Sequence, residues 1–186
     1  MKKVLLGVFL IVGVAIALVA FSPLNKAKMS AKPVATVGPI KWMTWQEAVE
    51  ANKKVKKKIF IDCYTDWCGW CKKMDASTFT DPKVAEMMNK HFYAVKFNAE
   101  QKDNVIFGDH TFKYIASGSR GVHELAYSLL DGQLSYPSFV YLDDKFQRVT
   151  ISPGYKTAEQ ILPELKFVGE EHYNGKTYEQ FLKGAK

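Results

Sequence analysis

Cys68 and Cys71, separated by two residues, are the side chains of this sequence best suited to chemistry. They follow an apolar run and stand where a helical pattern begins. At a helix N-terminus, unpaired backbone N–H groups and the helix dipole stabilise an anion, so the Cys68 thiol is expected to ionise readily. Cys71 lies on the same helical face and can reach Cys68 to form a disulfide. The pattern therefore predicts a redox pair in which Cys68 attacks a substrate disulfide and Cys71 resolves the mixed disulfide.

The two residues between the cysteines are suited to contact with another protein. Gly69 leaves the approach to Cys68 uncrowded, and Trp70 offers an aromatic surface on which a partner protein would dock. Both are therefore predicted substrate-binding positions.

Other uses of the cysteines match the spacing less well. A structural disulfide would close almost no loop and would add little stability. Cys63, Cys68 and Cys71 have the spacing of plant-type ferredoxins, but that cluster needs a fourth cysteine, and the sequence has three. Haem attachment needs a histidine after Cys71, where the sequence has Lys72. A zinc site remains an alternative, although no histidine stands at a short metal-binding spacing. The candidate histidines are His91, His110, His123 and His172.

The N-terminus carries a basic start followed by an apolar run. Lys2 and Lys3 precede an unbroken apolar run of 18 residues at positions 4–21. This run suits either a membrane anchor, which needs about 17–25 apolar residues, or a cleaved signal peptide. Both alternatives predict a leader and linker over residues 1–32. Both also predict export of residues 33–186 to an extracytoplasmic, periplasmic location, membrane-anchored or secreted.

The net charge of the chain is concentrated in this leader. Residues 1–32 hold five lysines and no acidic residue, whereas the whole chain has a formal net charge of +7. The remainder is therefore nearly neutral, and nucleic acid is excluded as a partner. The composition, with 47% hydrophobic and 24% charged residues, is that of a globular protein.

The pattern of apolar residues and helix caps predicts strands alternating with helices. Residues 58–64 form a short apolar run typical of a buried strand in a parallel sheet. Thr44 and Glu47 have the spacing of a capping box, and Asp81-Pro82 is typical of a helix start. Helical crossovers followed by a late hairpin indicate an α/β fold with a mixed sheet. The predicted helices are 44–52, 67–76, one from 81, 122–130, one from 157 and one from 177, and the predicted strands are 58–64, 92–97, 138–142 and 148–151.

The segment around the cysteines resembles the active-site segment of the thioredoxin superfamily. Residues 60–72 read Phe-Ile-Asp-Cys-Tyr-Thr-Asp-Trp-Cys-Gly-Trp-Cys-Lys. Residues 77–84 are similar to the periplasmic thioredoxin-like domain of bacterial transmembrane thiol:disulfide interchange reductases, and the likeness extends more thinly over residues 42–170. The resemblance implies a thioredoxin-like fold for residues 33–186, which follow the N-terminal hydrophobic segment. In this fold a mixed central sheet is flanked by helices.

The resemblance also implies roles for four further residues. In the family a cis-proline abuts the two sulfurs, and the residue before it offers its backbone to the incoming peptide. Pro137 and Tyr136 match these two positions. Trp67 matches the tryptophan that shields the sulfurs and contacts the partner, with core packing as the alternative. Asp62 matches the buried carboxylate beneath the second cysteine.

Asp62 and Cys63 are predicted to differ in role because successive side chains of a strand point to opposite faces. A buried charged carboxylate is costly, so the pKa of Asp62 is expected to rise, which suits it to accept and return the proton of Cys71. A hydrogen-bonded structural aspartate is the alternative. Cys63 is predicted to be a small buried apolar residue, with a third redox thiol as the alternative.

Two departures from thioredoxin bear on function. Trp70 stands where thioredoxin has proline, so the reduction potential of thioredoxin cannot be carried over. Residues 100–135 exceed the corresponding connection in length and predict a substrate-specific lobe, with cover for the sheet edge as the alternative. The side chains that suggest such a lobe are Phe107, Phe112, Tyr114 and Arg120.

These patterns together predict an extracytoplasmic thiol–disulfide oxidoreductase that exchanges disulfides with protein substrates through Cys68 and Cys71. A reductase that receives electrons from a membrane electron-donor protein is favoured over an oxidase or isomerase. A non-catalytic adaptor or a metal-delivery protein of the same fold is the alternative. No bound cofactor or metal is expected, because the electrons reside on the cysteines themselves.

Overall fold

The computed structural model describes residues 38–184 of the chain. The predicted leader at residues 1–32 lies outside these residues. Within the described range, no helix is both long enough and apolar enough to cross a membrane.

Strands and helices alternate along the described residues, with two hairpins inserted before the fourth helix. The strands are β1 (Trp42–Met43), β2 (Lys58–Tyr64), β3 (Phe92–Asn98), β4 (Val105–Phe107), β5 (His110–Phe112), β6 (Tyr114–Ser117), β7 (Arg120–His123), β8 (Ser138–Leu142) and β9 (Arg148–Pro153). The helices are α1 (Trp45–Lys54), α2 (Gly69–Ala76), α3 (Pro82–His91), α4 (Glu124–Leu129), α5 (Ala158–Gly169) and α6 (Tyr178–Gly184), with short 3-10 helices at Thr78–Thr80 and His172–Asn174.

The main sheet has five strands in the order β1-β3-β2-β8-β9. The central strand β2 pairs in parallel with β3 and antiparallel with β8, and β9 pairs antiparallel with β8 at the edge. The predicted mixed sheet and its late antiparallel hairpin are confirmed. Strands β4 and β5 pair with each other outside this sheet, as do β6 and β7.

Helices cover both faces of the main sheet, and the alternation of side chains along β2 assigns each residue to a face. Phe60 packs in the cluster that contains residues of α2, α3 and α5. Ile59, Ile61 and Cys63 pack in the opposite cluster with residues of α1 and α4. The alternation therefore turns Asp62 toward the face that α2 covers and Cys63 away from it.

Local signals set the ends of several helices as predicted. The capping box of α1 is complete, because Thr44 accepts from the Glu47 N–H and the Glu47 carboxylate accepts from the Thr44 N–H. The Asp81 carboxylate caps α3, whose first residue is Pro82. Helix α2 begins two residues later than predicted, since Cys68 has the extended backbone of an N-cap residue.

The segment between β3 and α4 differs from the prediction. A helix was expected from residue 122, but residues 120–123 form β7, so α4 begins at Glu124. The sequence also did not predict β1, β4, β5 or β6. These strands are two to four residues long. A strand of that length is too short to show the alternation of apolar and polar residues from which strands are predicted. The strand with which it pairs decides whether it forms.

The aromatic centre of the core holds the strand that carries Asp62. The Phe60 ring is fully buried, stacks on Phe139 with centroids 5.5 Å apart, and meets Tyr141 edge-on at 5.2 Å. We expect Phe60→Ala to lower the free energy of unfolding by about 3–5 kcal/mol, because it removes buried apolar contacts and leaves a cavity. Urea unfolding measures this loss. The exposed Ile106→Ala is the control, with a change within about 0.5 kcal/mol. An equal effect of both variants would contradict the central position of Phe60.

Candidate active site

The two cysteines of the predicted pair form a disulfide at the N-terminus of α2, with their Cα atoms 5.3 Å apart. Cys68 is the N-cap residue, and its sulfur accepts the backbone N–H of Cys71 at 3.1 Å. Backbone N–H groups at this position also stabilise a thiolate once the disulfide is reduced. Both cysteines lie just below the surface, with 4% and 2% of their areas exposed. The pair therefore lies where a disulfide can form and where a thiolate is stabilised.

The two tryptophans next to the cysteines in the sequence, Trp67 and Trp70, are both exposed. Trp67 is 50% exposed and Trp70 is 56% exposed, so packing of Trp67 in the core, the alternative to a surface role, is wrong. The Trp67 indole N–H donates to the Glu100 carboxylate at 3.0 Å, and the ring meets Tyr136 edge-on with centroids 6.1 Å apart. The Trp70 ring lies 5.1 Å from that of Tyr155. Each tryptophan ring thus packs against a tyrosine, Tyr136 just before β8 or Tyr155 just after β9.

The predicted proline and its neighbours lie at the same end of the sheet. The Tyr136–Pro137 peptide bond is cis, as the resemblance implied. Strand β8 begins at the next residue, Ser138, which pairs with Cys63 near the end of β2 that leads into the cysteines. Gly69 has open space around the position of a side chain, so packing does not require glycine there. The fold therefore brings Tyr136 and Pro137, distant in sequence, to the end of β2 that carries the disulfide.

Asp62 is buried, as predicted, but it has a partner that the sequence analysis missed. Its side chain is 1% exposed, and Lys96 Nζ lies 2.7 Å from one carboxylate oxygen. The other oxygen, Oδ1, makes no hydrogen bond within residues 38–184. Burial raises the pKa of Asp62 to about 6, and the positive charge of Lys96 offsets only part of this rise. The predicted direction of the pKa shift is confirmed.

Lys96 connects Asp62 to the surface. Its ammonium group also pairs with Asp75 of α2, and it lies over the rings of Trp42 and Tyr64 at 5.2 and 4.8 Å. Burial opposes the Lys96 charge, but the two carboxylates outweigh it and raise the pKa of this lysine. The sequence did hold a signal for this partner, namely a lysine inside the apolar strand 92–98. The parallel pairing of β2 and β3 then sets Lys96 opposite Asp62.

Cys63 is fully buried on the opposite face of the sheet and forms no disulfide. Burial raises the pKa of its thiol well above the ordinary value, and the nearby Asp62 adds to the rise. A thiol in this environment stays protonated and is a poor nucleophile. The prediction of a small buried apolar residue is confirmed.

A zinc site requires several ligand side chains grouped around one point. Between residues 38 and 184, no three histidine, cysteine, aspartate or glutamate side chains are grouped so as to hold a metal ion. His123 is buried and bonded to backbone groups: one ring nitrogen accepts the Leu125 N–H, and the other lies 3.1 Å from the Asp103 carbonyl oxygen. None of the four candidate histidines belongs to such a group with the cysteine pair.

Part of the inserted segment 100–135 packs on the core, and part of it lies beside Trp67. Phe107 and Phe112 pack against the core cluster of α1 and α4, so these two side chains cover the sheet and do not extend the site. Arg120 does reach the site, because its guanidinium carbon lies 4.4 Å from the centre of the Trp67 ring. Tyr114 lies at the base of the same hairpin, under Lys102.

Comparison with known proteins agrees with this fold and this cysteine pair. The profile of the family described as Thioredox_DsbH, protein of unknown function, DUF255, matches residues 26–151, which is more than half of the chain. The chain belongs to this family. The DsbH family match includes the cysteine pair, Asp62 and the cis-proline.

Curated relatives of this DsbH family member match over short segments. Spermatogenesis-associated protein 20 of Rattus norvegicus is 31% identical over 68 residues, which are 36% of this chain and 9% of that protein. Thiol:disulfide interchange protein DsbD of Vibrio vulnificus is 38% identical over 45 residues, 24% of this chain and 8% of that protein. The matched segments thus span less than a tenth of the length of these relatives.

Solved structures confirm the thioredoxin fold expected for this chain. A structure described as DsbH oxidoreductase superposes with a TM-score of 0.53 at 16% identity, covering 75% of this chain and 90% of that one. A thioredoxin from Thermus thermophilus also has a TM-score of 0.53 at 16% identity, with coverages of 70% and 88%. A thioredoxin-fold protein from Helicobacter pylori gives 0.52 at 16% identity, with coverages of 80% and 86%.

Proposed function

We propose that this DsbH family member is an extracytoplasmic thiol–disulfide oxidoreductase that reduces disulfides of other proteins. The observation that carries the proposal is the Cys68–Cys71 disulfide at the N-terminus of α2 in a thioredoxin fold. The names of the relatives DsbD and DsbH oxidoreductase support the same reaction class. The protein substrates would dock on Trp67, Gly69, Trp70 and the backbone of Tyr136, beside Pro137.

The reaction is two successive thiol–disulfide exchanges. The Cys68 thiolate attacks one sulfur of the substrate disulfide, the Cys68–substrate bond forms, and the other substrate sulfur leaves as a thiolate. The Cys71 thiol then loses its proton and attacks Cys68 Sγ, which restores the Cys68–Cys71 disulfide and releases the second substrate thiolate. Two electrons pass from the pair to the substrate. An external dithiol must return them before the next turnover.

Asp62 is the group that we assign to the proton of Cys71. Its free oxygen Oδ1 and a pKa of about 6 allow the carboxylate to take up a proton near neutral pH. Lys96, bonded to the other oxygen, would orient the carboxylate, and we class it as a positioning residue.

The proposals for the location of the protein and for its electron source are based on the sequence. The basic and apolar leader at residues 1–32 supports export, as an anchor or as a signal peptide, of a thioredoxin-like domain at residues 33–186. The resemblance to transmembrane interchange reductases supports a membrane electron-donor protein as the source of electrons. The cysteines hold the transferred electrons themselves, so the reaction needs no bound cofactor.

The direction of electron flow, from the protein to its substrate, can be tested through the reduction potential of the Cys68–Cys71 pair. The full-length chain is equilibrated in glutathione buffers of graded potential, and the reduced fraction is measured by thiol trapping. We expect a potential nearer to about −270 mV, the thioredoxin end, than to about −120 mV, the strongly oxidising end. Cys63→Ala should leave the potential unchanged, because Cys63 is buried on the other face of the sheet.

Two other outcomes would contradict the proposal. A potential near the oxidising end would identify a disulfide donor or isomerase. If no disulfide forms between the two cysteines at any potential, the redox function fails, and the adaptor or metal-delivery alternative takes its place.

A further inference from the structure

Arg120 is the charged side chain that the fold brings against the tryptophan next to Cys68. Its guanidinium carbon lies 4.4 Å from the centre of the Trp67 ring. The edge of that ring is held by Glu100, and the neighbouring Tyr136 meets it edge-on. Arg120 therefore stacks on a fixed aromatic ring that belongs to the residue immediately before Cys68.

The N–H donors of the Arg120 guanidinium are not used by other side chains within the described residues. An arginine carries five N–H donors and stacks on an aromatic ring through the flat face of the guanidinium, which leaves the donors free to bind a carboxylate. Arg120 is exposed, and it forms no ion pair or side-chain hydrogen bond with any residue of the described range 38–184. By contrast Arg148, the other arginine of this range, is paired with Asp131.

The hairpin that carries Arg120 is anchored at its base, although its tip is exposed. Strand β7 ends at His123, whose backbone N–H donates to the Ala99 carbonyl at 2.7 Å and whose buried ring meets Phe97. Within the hairpin, a side chain at Gly121 would collide with the Ile115 carbonyl and the Tyr114 ring, so the two strands pack closely there. The position of Arg120 thus follows from packing and strand pairing.

We propose that Arg120 is a specificity-determining residue that binds a carboxylate of the substrate protein close to the substrate's reacting cysteine. The proposal rests on the proposed function, since it describes the substrate of the same site. A substrate segment that crosses Trp67 to reach Cys68 passes the unpaired guanidinium. An aspartate or glutamate in that segment gains a charge-assisted hydrogen bond. Disulfides flanked by acidic residues are therefore the preferred substrate class.

The test uses three synthetic peptides that share one internal disulfide and differ at a single flanking residue, which is glutamate, glutamine or lysine. The full-length reduced protein is mixed with each peptide at low ionic strength, and the second-order rate of peptide reduction is measured. We expect the glutamate peptide to react about tenfold faster than the glutamine peptide, and the lysine peptide to react slowest. Arg120→Gln should remove this order, and Arg120→Glu should reverse it.

Lys102→Glu is the matched control. It makes the same change of charge as Arg120→Glu, but Lys102 lies over Tyr114 at the base of the hairpin and not over Trp67. We expect this variant to keep the preference for the glutamate peptide. The inference is overturned if Arg120→Gln keeps the wild-type order, or if Lys102→Glu loses it to the same extent. If the wild-type protein reduces none of the three peptides, the proposed function itself fails, and this inference with it.

Discussion

Cys68→Ser is expected to abolish disulfide reduction, with the rate falling below about a thousandth of that of the wild type. A serine hydroxyl is not ionised at neutral pH and cannot form the mixed disulfide, whereas the Cys68 thiolate is stabilised by the N-terminus of α2. The measurement is the rate of reduction of a disulfide-bonded test protein by the full-length chain with excess dithiothreitol.

Cys71→Ser separates the roles of the two cysteines. Cys68 can still attack, but nothing resolves the product, so a covalent complex with one substrate molecule should accumulate and disappear on addition of dithiothreitol. Non-reducing gel electrophoresis detects it. Cys63→Ala is the control and should keep nearly the full rate, because Cys63 is buried on the far face of the sheet. Substantial turnover by Cys68→Ser, or trapping through Cys63, would contradict the assignment of the nucleophile.

Asp62→Asn is expected to stabilise the protein above neutral pH. Burial raises the folded-state pKa of Asp62 from 3.8 to about 6, so the folded state binds this proton more tightly than the unfolded state does. The contribution of Asp62 to the free energy of unfolding is therefore highest below about pH 4 and falls as the pH rises to about 6. A shift of about two pKa units corresponds to about 3 kcal/mol above that pH. Asparagine cannot ionise, so the variant avoids this cost.

Urea unfolding of the disulfide form between pH 4 and 8 measures the difference. The gain of Asp62→Asn over the wild type should be near zero at pH 4 and should approach about 3 kcal/mol at pH 8. Asp75→Asn, which removes the other, more exposed partner of Lys96, is the control, with an effect of about 1 kcal/mol or less. A gain of Asp62→Asn over the wild type that does not grow between pH 4 and 8 would show that the Asp62 pKa is not raised.

The same variant should slow the second exchange step. Loss of the carboxylate that takes the Cys71 proton is expected to lower the rate of resolution of a mixed disulfide by about a hundredfold at neutral pH. In the wild type this rate should rise as the pH increases through about 6, as Asp62 ionises, and the rise should be absent from Asp62→Asn. Unchanged resolution with an unchanged pH profile would leave Asp62 with a structural role alone.

The sequence by itself determined the elements that depend on neighbours in the chain. The capping box at Thr44, the Asp81-Pro82 start of α3 and the buried strand 58–64 were predicted because caps and apolar runs are local. The cysteine spacing indicated a redox pair for the same reason, since two residues of separation place both sulfurs on one turn of helix. The raised pKa of Asp62 also followed from its position inside an apolar strand.

Only the tertiary structure decided which distant residues complete the site. Lys96 stands 34 positions from Asp62 and meets it through the register of two parallel strands, which no local pattern specifies. Arg120 reaches Trp67 through a hairpin of four-residue strands in which only His123 is buried, and this hairpin has no apolar alternation to reveal it. Tyr155 reaches Trp70 because β9 returns along the edge of the sheet. The cysteine pair and the buried carboxylate could thus be predicted from local sequence. The residues that contact them or the neighbouring tryptophans come from segments far apart in the chain, which strand pairing brings together.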